Sequence, residues 1–429
     1  MKKESFVNKI SIYIGVTLVL LIWLLTAYTV SSFLLLKESE ESSVWSTIQI
    51  YMKQIDSKFI AMDQCVEGIA GNQDLIGQIC YGSPADRYYA AVELQKSMKR
   101  DVISNAELDY VLIAESLNKR FGTNFSFKNL IMTVGAASGL NIILKSILNP
   151  GDEVIVFAPY FVEYNAYVRN YDGNVVIISP DTETFMPKLD EFEAKITART
   201  KAVIINNPNN PTGVVYDEAT IKALAAIMEK KEKEFGTSIV LISDEPYREL
   251  AYGGVDVPFV TKFYHNAVVG YSYSKSLSVP GERIGYVVIP DEVDDSAALI
   301  GAATIANRVI GCVNAPSLIQ KALQYCIQHD VTVDLATYEK NRNLIYGALT
   351  EYGFTCAKPD GAFYLFVKSP VEDEKEFCEV AKKHHVLVVP GSSFACPGYV
   401  RLAYCVSYGQ IERSLPAFKE IAKEYGLCK

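Results

Sequence analysis

Five short runs of β-branched and aliphatic residues, each ending in turn residues, constrain the fold of this 429-residue chain more than any other feature. They are "DEVIVFAPY" (152–160), "NVVIISP" (174–180), "KAVIINNPNNPTG" (201–213), "SIVLISDEPY" (238–247) and "NAVVGYSYSK" (266–275). The stretches VIVF, AVII and IVLI show no polar alternation, as expected of strands buried on both faces. Helix-period segments such as Glu218–Lys230 lie between the runs. The sequence therefore predicts an α/β fold with a mostly parallel sheet covered by helices, and active residues where strands end.

The overall composition excludes some partners. With a net charge of −9 and no long basic run, the chain is not expected to bind nucleic acid, which requires clustered lysine and arginine. Its nine cysteines include no C-x-x-C pair and no cysteine–histidine spacing typical of zinc, so we predict no metal site. Unpaired cysteines favour a reducing compartment.

The N-terminal region contains a long uncharged segment. Residues Ile10–Leu36 carry no charge over 27 positions, enough for a helix to cross a hydrocarbon layer of about 30 Å with some tilt. A signal peptide is the alternative, but its apolar region is shorter, roughly 7–15 residues. We predict a single-pass membrane anchor in domain 1–37.

Two signals disagree about which side of the membrane the rest of the chain faces. Lys2, Lys3 and Lys9 precede the anchor and Glu38 follows it, so the positive-inside tendency places the N-terminus in the cytosol and the remainder outside. The unpaired cysteines favour the opposite side, and we expect the remainder to be cytoplasmic. Residues 38–105 show helical periodicity without recognisable chemistry and are predicted to form a separate helical segment.

Short motifs with chemically active side chains occur along the later part of the chain. They are "TVGAASGLN" (133–141), "PNNPTG" (208–213), "SDEPY" (243–247), "SYSK" (272–275) and "GYVRLAY" (398–404). In this order they resemble the fold type I pyridoxal-phosphate-dependent aminotransferases, the group that includes aspartate and alanine aminotransferases, over residues 108–427. The resemblance implies a large cofactor domain with a seven-stranded sheet at 106–315 and a smaller C-terminal α+β domain at 316–429.

Lys275 in the "SYSK" motif matches the Schiff-base lysine of that family. Such an amine has to be partly neutral to attack an aldehyde, and nearby cations and desolvation lower its pKa. The resemblance makes Ser272, Ser274 and Arg283 a cradle for the cofactor phosphate, where an arginine offers a planar fork to the dianion.

Other motif residues match positions that hold the cofactor ring and the substrate. Asp244 matches the carboxylate that keeps the ring nitrogen protonated, so that the ring acts as an electron sink. Tyr247 and Asn210 match the residues that bind the ring oxygen. Arg401 matches the arginine that holds the substrate carboxylate through a bidentate pair, with Asn210 beside it.

Two further stretches complete the predicted site. Gly135, Ala136 and Ala137 begin a helical run and match the family's phosphate loop, where backbone amides bind an anion. Phe161 in "APYFVEY" matches the aromatic residue that stacks on the ring.

The resemblance implies transfer of an amino group between an amino acid and a 2-oxo acid, with pyridoxal 5'-phosphate as cofactor and a homodimer as the working state. A C–S lyase or a decarboxylase on the same fold stays open, because these reactions share their first steps. The family's Gly-x-Pro loop and Tyr-Gly stretch are not found; Tyr81–Ser83, Tyr88 and Tyr89 do not fit. The anchor stands in place of that arm, which leaves open a membrane-tethered, catalytically impaired fusion product.

Overall fold

The structure is a computed structural model that describes residues 110–429. The predicted anchor at 10–36 and the predicted helical segment at 38–105 lie outside these residues. Across the described part of the chain, no helix combines the length and apolarity needed to cross a membrane.

Strands and helices alternate through most of the described chain. The strands are β1 Leu130–Thr133, β2 Glu153–Phe157, β3 Asn174–Ile178, β4 Thr200–Asn206, β5 Val240–Asp244, β6 Ala267–Ser272, β7 Gly285–Val288, β8 Tyr364–Lys368, β9 Val389–Pro390 and β10 Tyr399–Ala403. The helices are α1 (110–121), α2 Gly135–Ile147, α3 Glu163–Arg169, α4 Leu189–Lys195, α5 Glu218–Phe235, α6 Tyr273–Ser276, α7 Ser296–Val309, α8 Ser317–Gln328, α9 Leu335–Glu351, α10 Glu374–Lys383 and α11 Tyr408–Glu424.

The first seven strands form one sheet in the order β1-β7-β6-β5-β4-β2-β3. The pairs from β3 through β6 are parallel, whereas β7 runs antiparallel to both β1 and β6. The predicted mostly parallel seven-stranded sheet is therefore confirmed. Strands β2 and β5 are buried along their whole length, and β4 at every position but Lys201, as their apolar runs predicted. Strand β6 is buried along its whole length as well. Strand β3 is different: it lies at the sheet edge, and only Ile178 is fully buried.

The two faces of this sheet carry separate hydrophobic clusters. Side chains alternate along β2, so that Ile155 and Phe157 belong to one cluster while Val154 and Val156 belong to the other. The first cluster includes residues of α1 and α5, and the second includes residues of α2 and α7. Each fully buried aliphatic side chain contributes roughly 1.5–3 kcal/mol, so these layers fix the sheet and the strand ends that it positions.

A second, three-stranded antiparallel sheet has the order β8-β10-β9. It packs with α9, α10 and α11 through a third hydrophobic cluster, which contains Ile345, Phe377 and Phe418. The same cluster includes Tyr247 and Leu250 from the chain after β5, so the two sheets share a packed boundary. The arrangement agrees with the expected smaller α+β unit, while its bounds at 106–315 and 316–429 stay predictions.

Candidate active site

Three neighbouring parallel strands end in polar residues at the same edge of the large sheet. Asn206 is the last residue of β4, Asp244 of β5 and Ser272 of β6, and Asn206 lies opposite Asp244 in the register. The Asn206 amide donates to the Asp244 carbonyl oxygen at 2.8 Å and accepts from the backbone N–H of Asn210 at 2.7 Å. This carboxyl edge is where open α/β sheets bind their ligands.

Asp244 is a buried carboxyl group with one unused oxygen. Its side chain is held by Tyr164, whose hydroxyl donates to Oδ2 at 2.6 Å. The other oxygen, Oδ1, is buried and has no hydrogen-bond partner in the described part of the chain. Burial raises the pKa of Asp244 to about 7, against the opposing effect of the Tyr164 hydrogen bond. A positively charged N–H group facing Oδ1 would satisfy this carboxylate.

The N-terminus of α2 lies beside Arg283, whose Nη2 donates to the Val134 carbonyl oxygen at 3.2 Å. The N-cap residue of α2, Val134, provides no side-chain hydrogen bond, so no cap side chain uses the backbone N–H groups of the first turn, which contains Ala136 and Ala137. Gly135 has φ +75°, and a methyl group at its Cα would overlap the Arg283 guanidinium. Arg283 itself has φ +54°, an unfavourable conformation for a residue with a side chain, and strained residues of this kind cluster at functional sites.

Two serine hydroxyls lie at the end of β6. The Ser272 side chain caps α6 by accepting from the Ser274 N–H at 3.2 Å, and the two hydroxyl oxygens are 2.7 Å apart. Gly285 allows the backbone at the start of α2 to lie close to the end of β6, because a methyl group there would overlap the Tyr271 carbonyl oxygen and lie 3.1 Å from the backbone of Gly135. The two serines and the start of α2 therefore converge on one place.

Lys275 occupies the short helix α6 and points toward aromatic rings. Its Nζ lies 5.2 Å from the ring centroid of Phe363 and 6.0 Å from that of Tyr247. Burial lowers the pKa of Lys275, and the positive charges of Arg283 and Arg401 lower it further against the opposing effect of Cys405. The amine is therefore closer to its neutral, nucleophilic form than a surface lysine is.

Arg401 lies on β10, in the second sheet, and its guanidinium group is only partly hydrogen-bonded within residues 110–429. Its guanidinium lies between two rings, 4.4 Å from the Tyr364 centroid and 4.7 Å from that of Phe394. Nη1 donates to the Asn210 side-chain oxygen at 2.8 Å, while Nε is buried without a partner among residues 110–429. An arginine presented in this way is suited to a carboxylate.

Tyr247 and Phe161 each contact another aromatic residue of the site. The Tyr247 hydroxyl is 3.0 Å from that of Tyr364, and burial raises the pKa of Tyr247 well above its usual value, so it stays a donor. Phe161 is half-buried in the turn after β2, with its ring edge-on to Tyr164 at 5.7 Å. The predicted site residues therefore lie in one connected cluster, and their individual roles stay predictions.

The structure adds residues that were not identified from the sequence. Tyr164 and Asn206 hold the two ends of Asp244, and Tyr364 contacts both Tyr247 and Arg401. A signal for Tyr164 was available, since it lies three residues after Phe161, one turn along the helix that follows. A signal for Tyr364 was also available, since it lies in "GAFYLF" (361–366), a stretch that resembles the usual neighbours of the family's carboxylate-binding arginine.

A family model described as aminotransferase class I and II matches residues 85–418. The aspartate aminotransferase of Thermotoga maritima is 32% identical over 312 residues, covering 72% of this chain and 79% of that protein. The aspartate/prephenate aminotransferase of Thermus thermophilus is 33% identical over 315 residues, with 72% and 79% covered.

Solved structures show the same similarity. An aminotransferase from Eubacterium rectale matches with 50% identity and a TM-score of 0.73, covering 75% of this chain and 80% of that one. The aspartate aminotransferase of Thermus thermophilus with maleate matches with 29% identity and a TM-score of 0.66, covering 76% and 87%.

Proposed function

This chain belongs to the aminotransferase class I and II family, and we propose that the cluster around Lys275 is the site of its reaction. The chain is a pyridoxal-phosphate-dependent aminotransferase that transfers an amino group between an amino acid and a 2-oxo acid. The similarities do not favour the lyase or decarboxylase alternatives. The observation that carries the site assignment is the Oδ1 atom of Asp244, which is buried without a hydrogen-bond partner among residues 110–429 and lies in the same cluster as Lys275.

The residues present fit pyridoxal phosphate. When bound, the cofactor supplies an electron sink that allows the Cα–H bond of an amino acid to break. Asp244 Oδ1 would pair with the ring N–H, and the N-terminus of α2 with Arg283 and the two serine hydroxyls would hold the phosphate. Phe161 would stack on the ring, and Tyr247 and Asn210 would donate to its phenolic oxygen. Gly135 allows the start of α2 to approach Arg283, and Gly285 allows it to approach the end of β6; this close approach supports the phosphate assignment.

Lys275 has two proposed roles. Its lowered pKa supports covalent attachment of the cofactor's aldehyde carbon to Nζ. Once an amino acid has displaced it, the same Nζ would take the proton from the substrate Cα and return it at the adjacent cofactor carbon. Arg401 would hold the substrate carboxylate through Nε and Nη2, which orients Cα toward Lys275.

The test of this site is chemical labelling. Borohydride treatment followed by peptide mapping should modify Lys275, and Lys275→Ala should lose both the label and the visible absorption of the bound cofactor. Lys262→Ala, which changes an exposed lysine outside the site, should keep both. Label elsewhere, or an unchanged spectrum in Lys275→Ala, would show that the assignment is wrong.

We further propose aspartate as an amino donor, because relatives about one-third identical are named aspartate or aspartate/prephenate aminotransferases. Aspartate with 2-oxoglutarate should give glutamate, and omission of the 2-oxo acid should stop turnover after one half-reaction. With a sulfur-containing amino acid such as cysteine in place of aspartate, continued release of pyruvate, ammonia and sulfide without a 2-oxo acid acceptor would instead indicate a C–S lyase.

The working assembly is proposed to be a homodimer. Ile305 and Val309, one turn apart on α7, are 63% and 65% exposed, and this apolar face supports burial against a second copy. Light scattering of the purified protein should give twice the chain mass of 47.6 kDa. A monomer with full activity would contradict the proposal.

The location is also proposed: residues 10–36 tether the enzyme to a membrane, with the aminotransferase domain in the cytoplasm. The support is the uncharged segment and the unpaired cysteines.

A further inference from the structure

We propose that Tyr364 is a positioning residue for this reaction, whose ring holds Arg401 and whose hydroxyl fixes the direction in which Tyr247 donates its proton. The inference rests on the proposed site and adds a residue to it. Tyr364 is 7% exposed and has contacts on two sides, one to each of these residues.

The first contact follows from the register of the second sheet. Tyr364 is paired with Ala403 and Phe366 with Arg401 in the antiparallel β8–β10 ladder. Because residues two apart on a strand share a face, the Tyr364 ring lies on the same side as the Arg401 side chain. The 4.4 Å distance from the guanidinium carbon to the ring centroid is a cation–π contact, and Phe394 closes the other side at 4.7 Å. The two rings restrict the plane of the guanidinium to which a carboxylate must bind.

The second contact is a hydrogen bond between two hydroxyl groups. The Tyr364 and Tyr247 oxygens are 3.0 Å apart, and either one could be the donor by geometry alone. A tyrosine hydroxyl has one proton. If Tyr247 is to donate to the cofactor's ring oxygen, its own oxygen must accept, so Tyr364 is the donor of the pair. Burial raises the pKa of both tyrosines, so both keep their protons.

The two successive hydrogen bonds, from Tyr364 to Tyr247 and from Tyr247 to the ring oxygen, would affect the protonation of Lys275. A hydroxyl that accepts a hydrogen bond becomes a stronger donor through mutual polarisation. Stronger donation to the ring oxygen reduces the attraction of that oxygen for the proton on the attached Lys275 nitrogen. Tyr364 therefore helps the Lys275 nitrogen to lose its proton at lower pH, although the two residues do not form a hydrogen bond.

Other charged and titratable groups also face this nitrogen. Arg283 follows α6, Arg401 lies on β10 and Cys405 follows β10, and all three affect the pKa of Lys275. Asp244 and Arg401 act in turn on Tyr247. None of these side chains is substituted in the variants below. Because Tyr364→Phe also keeps the ring against Arg401, a shift in its pH dependence isolates the Tyr364 hydroxyl.

The experiment compares two substitutions that separate the two contacts. Tyr364→Phe keeps the ring over Arg401 and removes the hydroxyl. We expect the KM for aspartate to stay within about twofold, while the pH midpoint of the cofactor's visible absorption rises by about half a unit to one unit, the effect of one hydrogen bond. Tyr364→Leu removes both contacts and should show the same rise together with a KM increased on the order of tenfold.

The matched control is Tyr404→Phe. Tyr404 is a buried tyrosine just after β10 whose hydroxyl contacts Tyr252 and the Ala362 carbonyl oxygen rather than the site. It should leave both the midpoint and the KM unchanged, which excludes a general effect of removing a buried hydroxyl.

The outcomes separate this inference from the proposed function. Suppose that the wild-type protein binds cofactor through Lys275. If Tyr364→Phe then has the same pH midpoint as wild type, or if Tyr364→Leu keeps the wild-type KM, the role of Tyr364 is wrong and the proposed function stands. A wild-type protein without the visible band would overturn both. An equal shift of the absorption midpoint in Tyr404→Phe would also contradict the role of Tyr364.

Discussion

The Asp244 carboxyl group is buried at a position where its charged form is unfavourable unless a positively charged group binds beside it. Without cofactor, Oδ1 has no partner in the described residues, and burial raises the pKa to about 7. The folded chain therefore holds a proton on Asp244 at pH values where the unfolded chain, with a normal carboxyl pKa, has lost it. This single residue links cofactor binding to pH and to stability.

The cofactor-free protein should lose stability as pH rises from about 4 to 7. In this window the native state binds more protons than the unfolded state, so the free energy of unfolding falls with pH and becomes constant above about 7. Asp244→Asn removes the ionisation and should be more stable than wild type at pH 8 by an amount on the order of 2–4 kcal/mol. Thermal unfolding of both proteins without cofactor at pH 5 and pH 8 measures the difference.

Two comparisons sharpen this prediction. Tyr164→Phe removes the hydrogen bond that lowers the pKa of Asp244, so the loss of stability should extend to higher pH. Added cofactor should reduce the pH dependence of the free energy of unfolding in wild type. The pH dependence of Asp244→Asn should not change when cofactor is added. Parallel loss of stability in wild type and Asp244→Asn would contradict a buried, unpaired carboxyl group.

The start of α2 is the element that we propose as the anion site. Gly135 allows the chain to turn at φ +75° and lets the helix N-terminus approach Arg283. Gly135→Ala adds backbone strain of about 1–2 kcal/mol and displaces the guanidinium. We expect cofactor affinity to fall at least tenfold, measured by absorbance titration of the cofactor-free protein.

Gly281→Ala is the matched control for that element. Gly281 lies in the same region, two residues before Arg283, but a methyl group added there meets no atom of residues 110–429 within 4 Å. Cofactor affinity should therefore be unchanged. If the two variants bind cofactor equally, the α2 N-terminus is not the phosphate site.

The elements differ in how far the sequence could predict them. Strands β2, β4 and β5 were readable because a strand covered by helices on both sides must be apolar at every position. The exposure of β3 and the reversed direction of β7 were not readable, since both depend on position in the sheet rather than on local composition. The motif residues were located by resemblance, whereas the Tyr164–Asp244 bond joins residues 80 apart and required the fold.

At the scale of the whole described chain, the site depends on both sheets. Arg401 comes from the second sheet, and the Asn210 to which it donates comes from the turn after β4, 191 residues earlier. Tyr247 belongs to the hydrophobic cluster of the second sheet although it follows a strand of the first. The proposed carboxylate site at Arg401 and the proposed cofactor site at Asp244 therefore lie on either side of one packed boundary, which explains why no single segment of sequence defines the site.

The proposed membrane tether makes a prediction for the full-length protein. The segment 10–36 should keep the enzyme in the membrane fraction after a carbonate wash, because its apolar helix would span the hydrocarbon layer. Leu21→Arg with Leu24→Arg places two charges near its centre, at a cost of roughly 2.5–3.5 kcal/mol each. This variant should move to the soluble fraction with its aminotransferase activity retained, and Glu38→Gln with Glu40→Gln should not.

Protease accessibility then determines which side the enzyme faces. Protease added outside intact spheroplasts should leave the aminotransferase domain uncut, and the same protease should cut it in inverted vesicles, since we place the domain in the cytoplasm. Cleavage in intact spheroplasts would mean that Lys2, Lys3 and Lys9 determine the orientation and that the unpaired cysteines mislead. A wild-type protein that is fully soluble would exclude the tether while leaving the chemistry of Lys275 untouched.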